Sequence, residues 1–241
     1  MPFGANMRIK LFSHMVDIGC GKEITVEQTE LLEKTGLLDA VEHAYFFAHF
    51  NKDNYAWLEE RWKDRKNIDI LHYNQDYQPW YEATSVNYLQ EYCHETEEEF
   101  YVCFMTHKGA SHGSGGHQNW RRYMQYWNLE KWKECVAKLD EGYDMCGAAF
   151  LNNPPHSFYA GNFFWAKASY LRKCRRLKTP SENMFKPQFE GQPHHRFDLE
   201  CWHGSGNPNA YDLHPGETNR WYLPPETYRD DIEETFTYRT A

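Results

Sequence analysis

Four short segments of this 241-residue chain carry residue types that could do chemistry. Thr106-His107-Lys108-Gly109 follows an apolar, β-type run. Glycine there lets backbone approach a ligand and lysine supplies a compact positive charge, so the segment either meets a diphosphate or forms an ordinary turn. Asn119-Trp120-Arg121-Arg122 opens a long helical pattern; its paired arginines either bind phosphate with help from the helix N-terminus or form a solvated first turn. In Tyr159-Ala160-Gly161-Asn162-Phe163-Phe164-Trp165-Ala166, Gly-Asn inside an aromatic strand marks a bulge or a close approach of ligand to backbone. Aromatic faces beside an amide suit sugar rings, although core packing explains the flanking rings equally well. Finally, Phe197-Asp198-Leu199-Glu200-Cys201-Trp202 offers a carboxylate that could act as general base or bind a metal. On a helix, positions 198 and 200 do not share a face, so at most one points into a site.

The 13 histidines invite a metal reading. His107, His112 and His117 share one loop, and His194-His195 precede His203, but no compact His-x-x-x-His or Cys/His signature supports structural zinc. The chain has no P-loop, no Gly-x-Gly-x-x-Gly and no Asp-x-Asp.

The elements that must position these residues alternate between strand and helix. Strands are expected at 7–16, 43–50, 68–73, 100–106, 143–150 and 159–166. Helices are expected at 25–35, where Thr25 and Gln28 suggest a capping box and Gly36 a stop, and at 53–65, 80–93, 118–140 and 196–203. A further short helix is expected to carry the basic run Lys167, Arg172, Lys173, Arg175, Arg176 and Lys178. The pattern predicts an α/β fold with a mostly parallel central sheet and helices on both faces. The Gly/Ser/His loop 107–117 then emerges at a strand's C-terminal end, where open α/β sheets keep their ligands. Regular signals fade from about 177, so residues 1–203 read as one domain and 204–241 as an irregular tail wrapping it.

Composition narrows the classes. Aromatic residues make up 17% of the chain, which excludes disorder as a whole-chain description. A mean hydropathy of −0.87 implies that many rings are half-buried or exposed. The net charge of −9 argues against coating of DNA or attachment to an anionic membrane, and no stretch reaches the roughly 18 apolar residues of a membrane span. The seven cysteines are scattered, without Cys-x-x-Cys, and read as reduced thiols of a cytoplasmic protein, or of a host cytoplasm if the source is viral.

Taken in order, the segments resemble a small family of glycosyltransferases of the GT-A type found among bacteria and large viruses. The resemblance spans roughly residues 8–205. It rests on Thr35-Gly36-Leu37-Leu38-Asp39, Tyr81-Glu82-Ala83-Thr84, Thr106-His107-Lys108-Gly109, Trp120-Arg121-Arg122-Tyr123-Met124, Phe158 to Ala166, and Glu200-Cys201-Trp202. Two departures stand out: Phe158 occupies a family histidine position, and Thr106 and His107 are exchanged. The resemblance implies transfer of a sugar from a nucleotide-diphosphate donor, such as a UDP- or GDP-sugar, to the hydroxyl of a carbohydrate or glycan acceptor. It implies donor and phosphate contacts from His14, Asp17, Asn74, Asp76, Glu82, Thr106, His107, Lys108, Gly109, Arg121 and Arg122. Sugar or acceptor contacts fall to Gly161, Asn162, Trp165 and Trp202, and base catalysis to Glu200, with Asp198 second. Most GT-A enzymes hold the diphosphate through a divalent metal on Asp-x-Asp; here Lys108, helped by Arg121 or Arg122, is expected to replace much of that charge. His107 offers the alternative of a Mn²⁺ or Mg²⁺ ligand, an awkward one for a cation that prefers oxygen. A glycoside hydrolase, a carbohydrate-binding module and a transferase acting on modified viral DNA are the competing readings.

Overall fold

A computed structural model describes residues 7–72, 82–111, 115–152, 157–177, 196–216 and 223–229. Its frame is a seven-stranded sheet in the order β3-β2-β1-β4-β8-β5-β9. These strands are β1 (Ile9–Val16), β2 (His43–His49), β3 (Ile68–His72), β4 (Tyr101–Thr106), β5 (Met145–Gly147), β8 (Phe164–Lys167) and β9 (Ala210–Asp212). β1 pairs in parallel with β2 and β4, and β2 with β3. β8 runs antiparallel between β4 and β5, and β9 adds in parallel to β5 at the edge. A separate two-stranded ribbon joins β6 (Phe150–Leu151) to β7 (Phe158–Tyr159).

β1 and β4 are buried along their whole length, as expected of strands covered on both faces. Alternate residues divide between two cores. Leu11 and Met15 face α1 (Gly21–Lys34), α2 (Leu37–Ala40), α3 (Lys52–Trp62) and α5 (Gly115–Gln125); Phe12 faces α4 (Ala83–Glu95) and α7 (Ala168–Leu171) on the other side. Asn51 caps α3, accepting from the N–H groups of Asp53 and Asn54 at 3.1 and 3.0 Å. Gly36, with φ of +70°, turns the chain from α1 into α2. No aromatic side chain is exposed among the described residues, and Trp120, Trp165 and Trp202 are fully buried. Of the half-buried or exposed rings expected, the described residues show the half-buried kind, among them Tyr55, Trp57, Trp127 and Trp132 packed against the core, while the other rings are buried.

Local chemistry moved several expected boundaries. α1 begins at Gly21, so Thr25 lies inside it and bonds back to the Gly21 carbonyl at 2.9 Å. Gln28 makes no capping box; its amide leaves the helix for the Thr106 carbonyl at 3.0 Å. The expected helix 118–140 is three pieces: α5, a π-helical turn (Tyr126–Glu130) and α6 (Trp132–Asp140). The wider turn frees the Asn128 carbonyl, which accepts from the Trp165 indole at 2.8 Å. Strand 143–150 breaks at Ala149 (φ +65°), and 159–166 at Gly161 (φ +82°) and Asn162 (φ +54°). α7 ends before Arg172, so Arg172, Lys173, Arg175 and Arg176 follow the helix instead of riding on it, while Lys167 closes β8 ahead of it and Lys178 lies outside the described residues. Arg172 donates to the carbonyls of Cys93 and Glu98 and lies 3.9 Å from Glu99, so it engages the acidic run directly. β9 places residues of the supposed tail in the central sheet, so a boundary at 203/204 would cut that sheet. No helix among the described residues is long and apolar enough to cross a membrane.

Candidate functional site

The chain leaves β1 toward β2 and β3 on one side and returns through β4 on the other. Connections from β1 and β4 therefore diverge, and such a switch point at strand C-termini is where α/β sheets bind ligands. Two turns meet at this point. The Cys20 N–H donates to the Ala110 carbonyl at 3.0 Å. A Cβ on Gly19 would stand 2.2 Å from that same oxygen, and one on Gly21 2.0 Å from the Val16 carbonyl. Only glycine lets the β1–α1 turn press so closely on the turn after β4.

His107 is seated between the two strand ends. Its Nδ1 lies 3.0 Å from both the N and the O of Val16, and Nε2 has no hydrogen-bond partner among the described residues. Burial pushes its imidazole down to about 3, so the ring is neutral at pH 7. His14, on β1, is also driven well below the usual histidine range, chiefly by burial and further by His49 and His107. The His14 and His49 rings are 5.1 Å apart.

Beyond His107 the side chain of Lys108 turns into a partly covered corner. Its Nζ sits 4.3 Å from the Trp120 ring centroid and 3.8 Å from Glu200 Oε1. Trp120 comes from α5 and Glu200 from α8 (Arg196–Cys201). The separation from Glu200 is that of a loose ion pair, longer than a direct hydrogen bond. Gly109 (φ +85°) permits the turn that follows, and a Cβ there would meet His117 at 3.1 Å.

Arg121 is buried and grips Glu27 of α1 through Nε at 3.3 Å and a terminal nitrogen at 3.1 Å, while its other terminal nitrogen donates to the Lys108 carbonyl at 3.4 Å. It thus supports Lys108 from behind. Arg122 is half-buried, one position further along α5.

A second cluster closes the corner. Thr106 Oγ1 donates to the Gly161 carbonyl at 3.0 Å. The Asn162 amide nitrogen donates to Glu82 Oε1 at 3.0 Å and to the Leu199 carbonyl at 2.7 Å. Thr106, His107, Lys108, Gly109, Glu82, Gly161, Asn162 and Glu200 are therefore brought together around the end of β4.

Other expected site residues lie elsewhere. Trp165 is fully buried with its indole committed to Asn128, and Trp202 is fully buried beside Phe164 and His203. Neither ring face can stack on a sugar; both are core. Asn162 is likewise sealed from solvent, so it acts as a clip and makes no sugar contact. Asp17 accepts from the Asn51 N–H at 2.6 Å and the Asn54 amide at 3.3 Å, holding the start of α3. Asn74, Asp76 and the side chain of Asp198 lie outside the described residues.

Glu27 and His49 carry no role in the sequence-based expectations, and Trp120 enters them only as a neighbour of the paired arginines. One signal was available: His14, His49 and His72 stand within or at the ends of β1, β2 and β3, and His107 directly follows β4. Among the described residues, no three His, Cys, Asp or Glu are arranged to hold a metal ion. Lysine and a neutral imidazole are a poor donor set for Mg²⁺ or Mn²⁺, which require clustered oxygens.

Residues 22–221 match the family described as a domain of unknown function (DUF8361), and the chain belongs to that family. No curated protein matches it. Among solved structures it is similar to the crystal structure of HddC from Yersinia pseudotuberculosis, at 11% identity and a TM-score of 0.38, over 78% of this chain and 89% of that one.

Proposed function

We propose that this DUF8361 member transfers a sugar from a nucleotide-diphosphate donor to an acceptor hydroxyl, in the crevice outside the ends of β1 and β4. One observation carries the reading: Lys108 and Glu200, brought together from distant parts of the chain, face each other across 3.8 Å at that strand end. A cation and a carboxylate so placed match the two demands of glycosyl transfer. The bond from the anomeric carbon to the diphosphate oxygen breaks, and that oxygen keeps the electron pair; Lys108 stabilises the charge as it develops. The acceptor oxygen bonds to the anomeric carbon, and its proton passes to Glu200. Arg121 contributes by fixing the Lys108 backbone, with no phosphate contact of its own. No step is assigned to a metal, because the described residues around Lys108 form no donor set that suits one.

A thermal-shift panel of UDP- and GDP-sugars, each with Mn²⁺ and with EDTA, tests the proposal. Stabilisation by a nucleotide sugar that persists in EDTA, followed by release of the free nucleoside diphosphate on adding an acceptor, supports it. Absence of binding across the panel removes the transferase reading, and binding that vanishes in EDTA removes its metal-free form.

A further inference from the structure

We infer that Asn162 is a positioning residue for Glu200, holding it through the carbonyl of the preceding residue, Leu199; this rests on Glu200 being the base proposed above. Asn162 is a non-glycine residue with φ of +54° and no exposed surface. A left-handed conformation is tolerated best, outside glycine, by asparagine and aspartate, and one kept in a sealed site must be over-determined by its surroundings. Two bonds do so here. The side-chain nitrogen has two protons and two acceptors, Glu82 Oε1 at 3.0 Å and the Leu199 carbonyl at 2.7 Å. Rotating the amide by half a turn would set its oxygen against both, so its orientation is fixed by the acceptors.

The connections explain why this turn matters to the site. Glu82 directly precedes α4, Leu199 lies in α8, and the neighbouring Gly161 carbonyl accepts from Thr106 at the end of β4 at 3.0 Å. Lys108 passes over the same turn: a Cβ on Gly161 would stand 3.6 Å from Lys108 Cδ and 2.8 Å from Met124 Sδ. One turn thus forms the floor under Lys108 and the anchor of the helix that presents Glu200. Aspartate would keep the shape and tolerate the backbone conformation, yet point an oxygen at two acceptors. Only the amide serves.

The test uses Asn162→Gly, which accepts the positive φ without strain and removes the amide, with Asn162→Asp as the isosteric control. Hydrogen exchange of the backbone amides of 199–204 in the full-length protein should accelerate at least tenfold in both variants, while that of β1 and β4 stays unchanged. With the UDP- or GDP-sugar chosen by the panel above, Asn162→Gly should lower kcat by ~10²-fold, the scale expected of Glu200→Gln. KM should remain within about twofold, as an effect on chemistry and not on uniform binding requires. The Asn162→Gly/Glu200→Gln double variant should be no slower than Glu200→Gln alone. Fully additive losses, or unchanged exchange in 199–204, overturn the inference. If the parent protein turns over no nucleotide sugar, the catalytic reading of Glu200 falls, and the exchange measurement alone decides whether Asn162 anchors α8.

Discussion

The ring of His203 accepts the backbone N–H of Tyr159 through Nε2 at 2.8 Å, and its own carbonyl accepts the Tyr170 hydroxyl at 2.7 Å. One residue thus ties the segment after α8 to both β7 and α7. Accepting at Nε2 fixes the neutral tautomer with the proton on Nδ1.

That arrangement makes stability depend on pH. Burial pushes the His203 imidazole down to about 3, as it does for His107, whereas an unfolded histidine titrates near 6.5. Above about pH 6.5 both states are neutral and the contribution is flat. As pH falls toward 3, only the unfolded chain takes up these protons, so stability is lost at ~1.4 kcal/mol per pH unit for each group. Denaturant melts at pH 7.5 and 5 should show the loss. His203→Gln should flatten the slope by about the share of one group; an unchanged slope would show that this histidine does not govern it.

Gly204 lies where a Cβ would stand 1.5 Å from the Ser157 carbonyl, while Gly36 and Gly142 adopt positive φ with open space around them. Gly204→Ala should therefore destabilise by ~3 kcal/mol or more, because backbone must separate from backbone. Gly36→Ala should cost only about 1–2 kcal/mol, the local strain of a left-handed alanine. Thermal unfolding of the pair checks the contrast, which equal losses would contradict.

Arg121 separates a structural role from a substrate role. With its guanidinium on Glu27, Arg121→Met should lower stability by about 2–3 kcal/mol, less than stranding a fully buried charge because Glu27 keeps some solvent contact. Affinity of the folded protein for UDP or GDP should stay within about threefold. A large loss of affinity at unchanged stability would place Arg121 on the phosphate instead.

Lys108→Met keeps an unbranched chain on the Trp120 face and removes the charge. UDP or GDP binding should weaken by ~10–100-fold, the worth of one charge-assisted contact. Glu200→Gln should leave that affinity within threefold and cut turnover by ~10²-fold or more. Calorimetry with turnover assays distinguishes the two; equal affinity losses would mean that neither role is assigned correctly.

The alternation of strands and helices was legible because β4 and the centre of β2 read as apolar runs of the right length and β1 as a mostly apolar one broken by Lys10, Ser13 and His14, and so were the glycine turns beside them. The corner around Lys108 was legible in parts: Thr106 to Gly109, Gly161-Asn162 and Glu200 stood out by residue type. What each part touches did not. Nothing local in Arg121 tells that Glu27 will meet it, and a Gly-Asn step reads the same whether its amide faces a ligand or two protein oxygens. Trp165 and Trp202 misled because aromatic residues near a kink suit stacking and core equally, and only tertiary burial separates the two. The π-helical turn was invisible because the Trp165 indole, which its Asn128 carbonyl accepts, lies on another element.

The antiparallel strand also dictates when the site can exist. β8 slots between β4 and β5, both of which precede it along the chain. As synthesis proceeds, β4 therefore waits with an open edge and β5 with no neighbour on that side until residues 164–167 emerge. Open edges of this kind recruit other chains, and pairings across long sequence separations form slowly. The Asn162 clip sits directly ahead of β8, and its Leu199 partner comes later still. A chain that ends before β8 would thus carry an unpaired β4 edge and lack both the Asn162 clip's Leu199 partner and Glu200, which makes late synthesis the vulnerable interval for this protein.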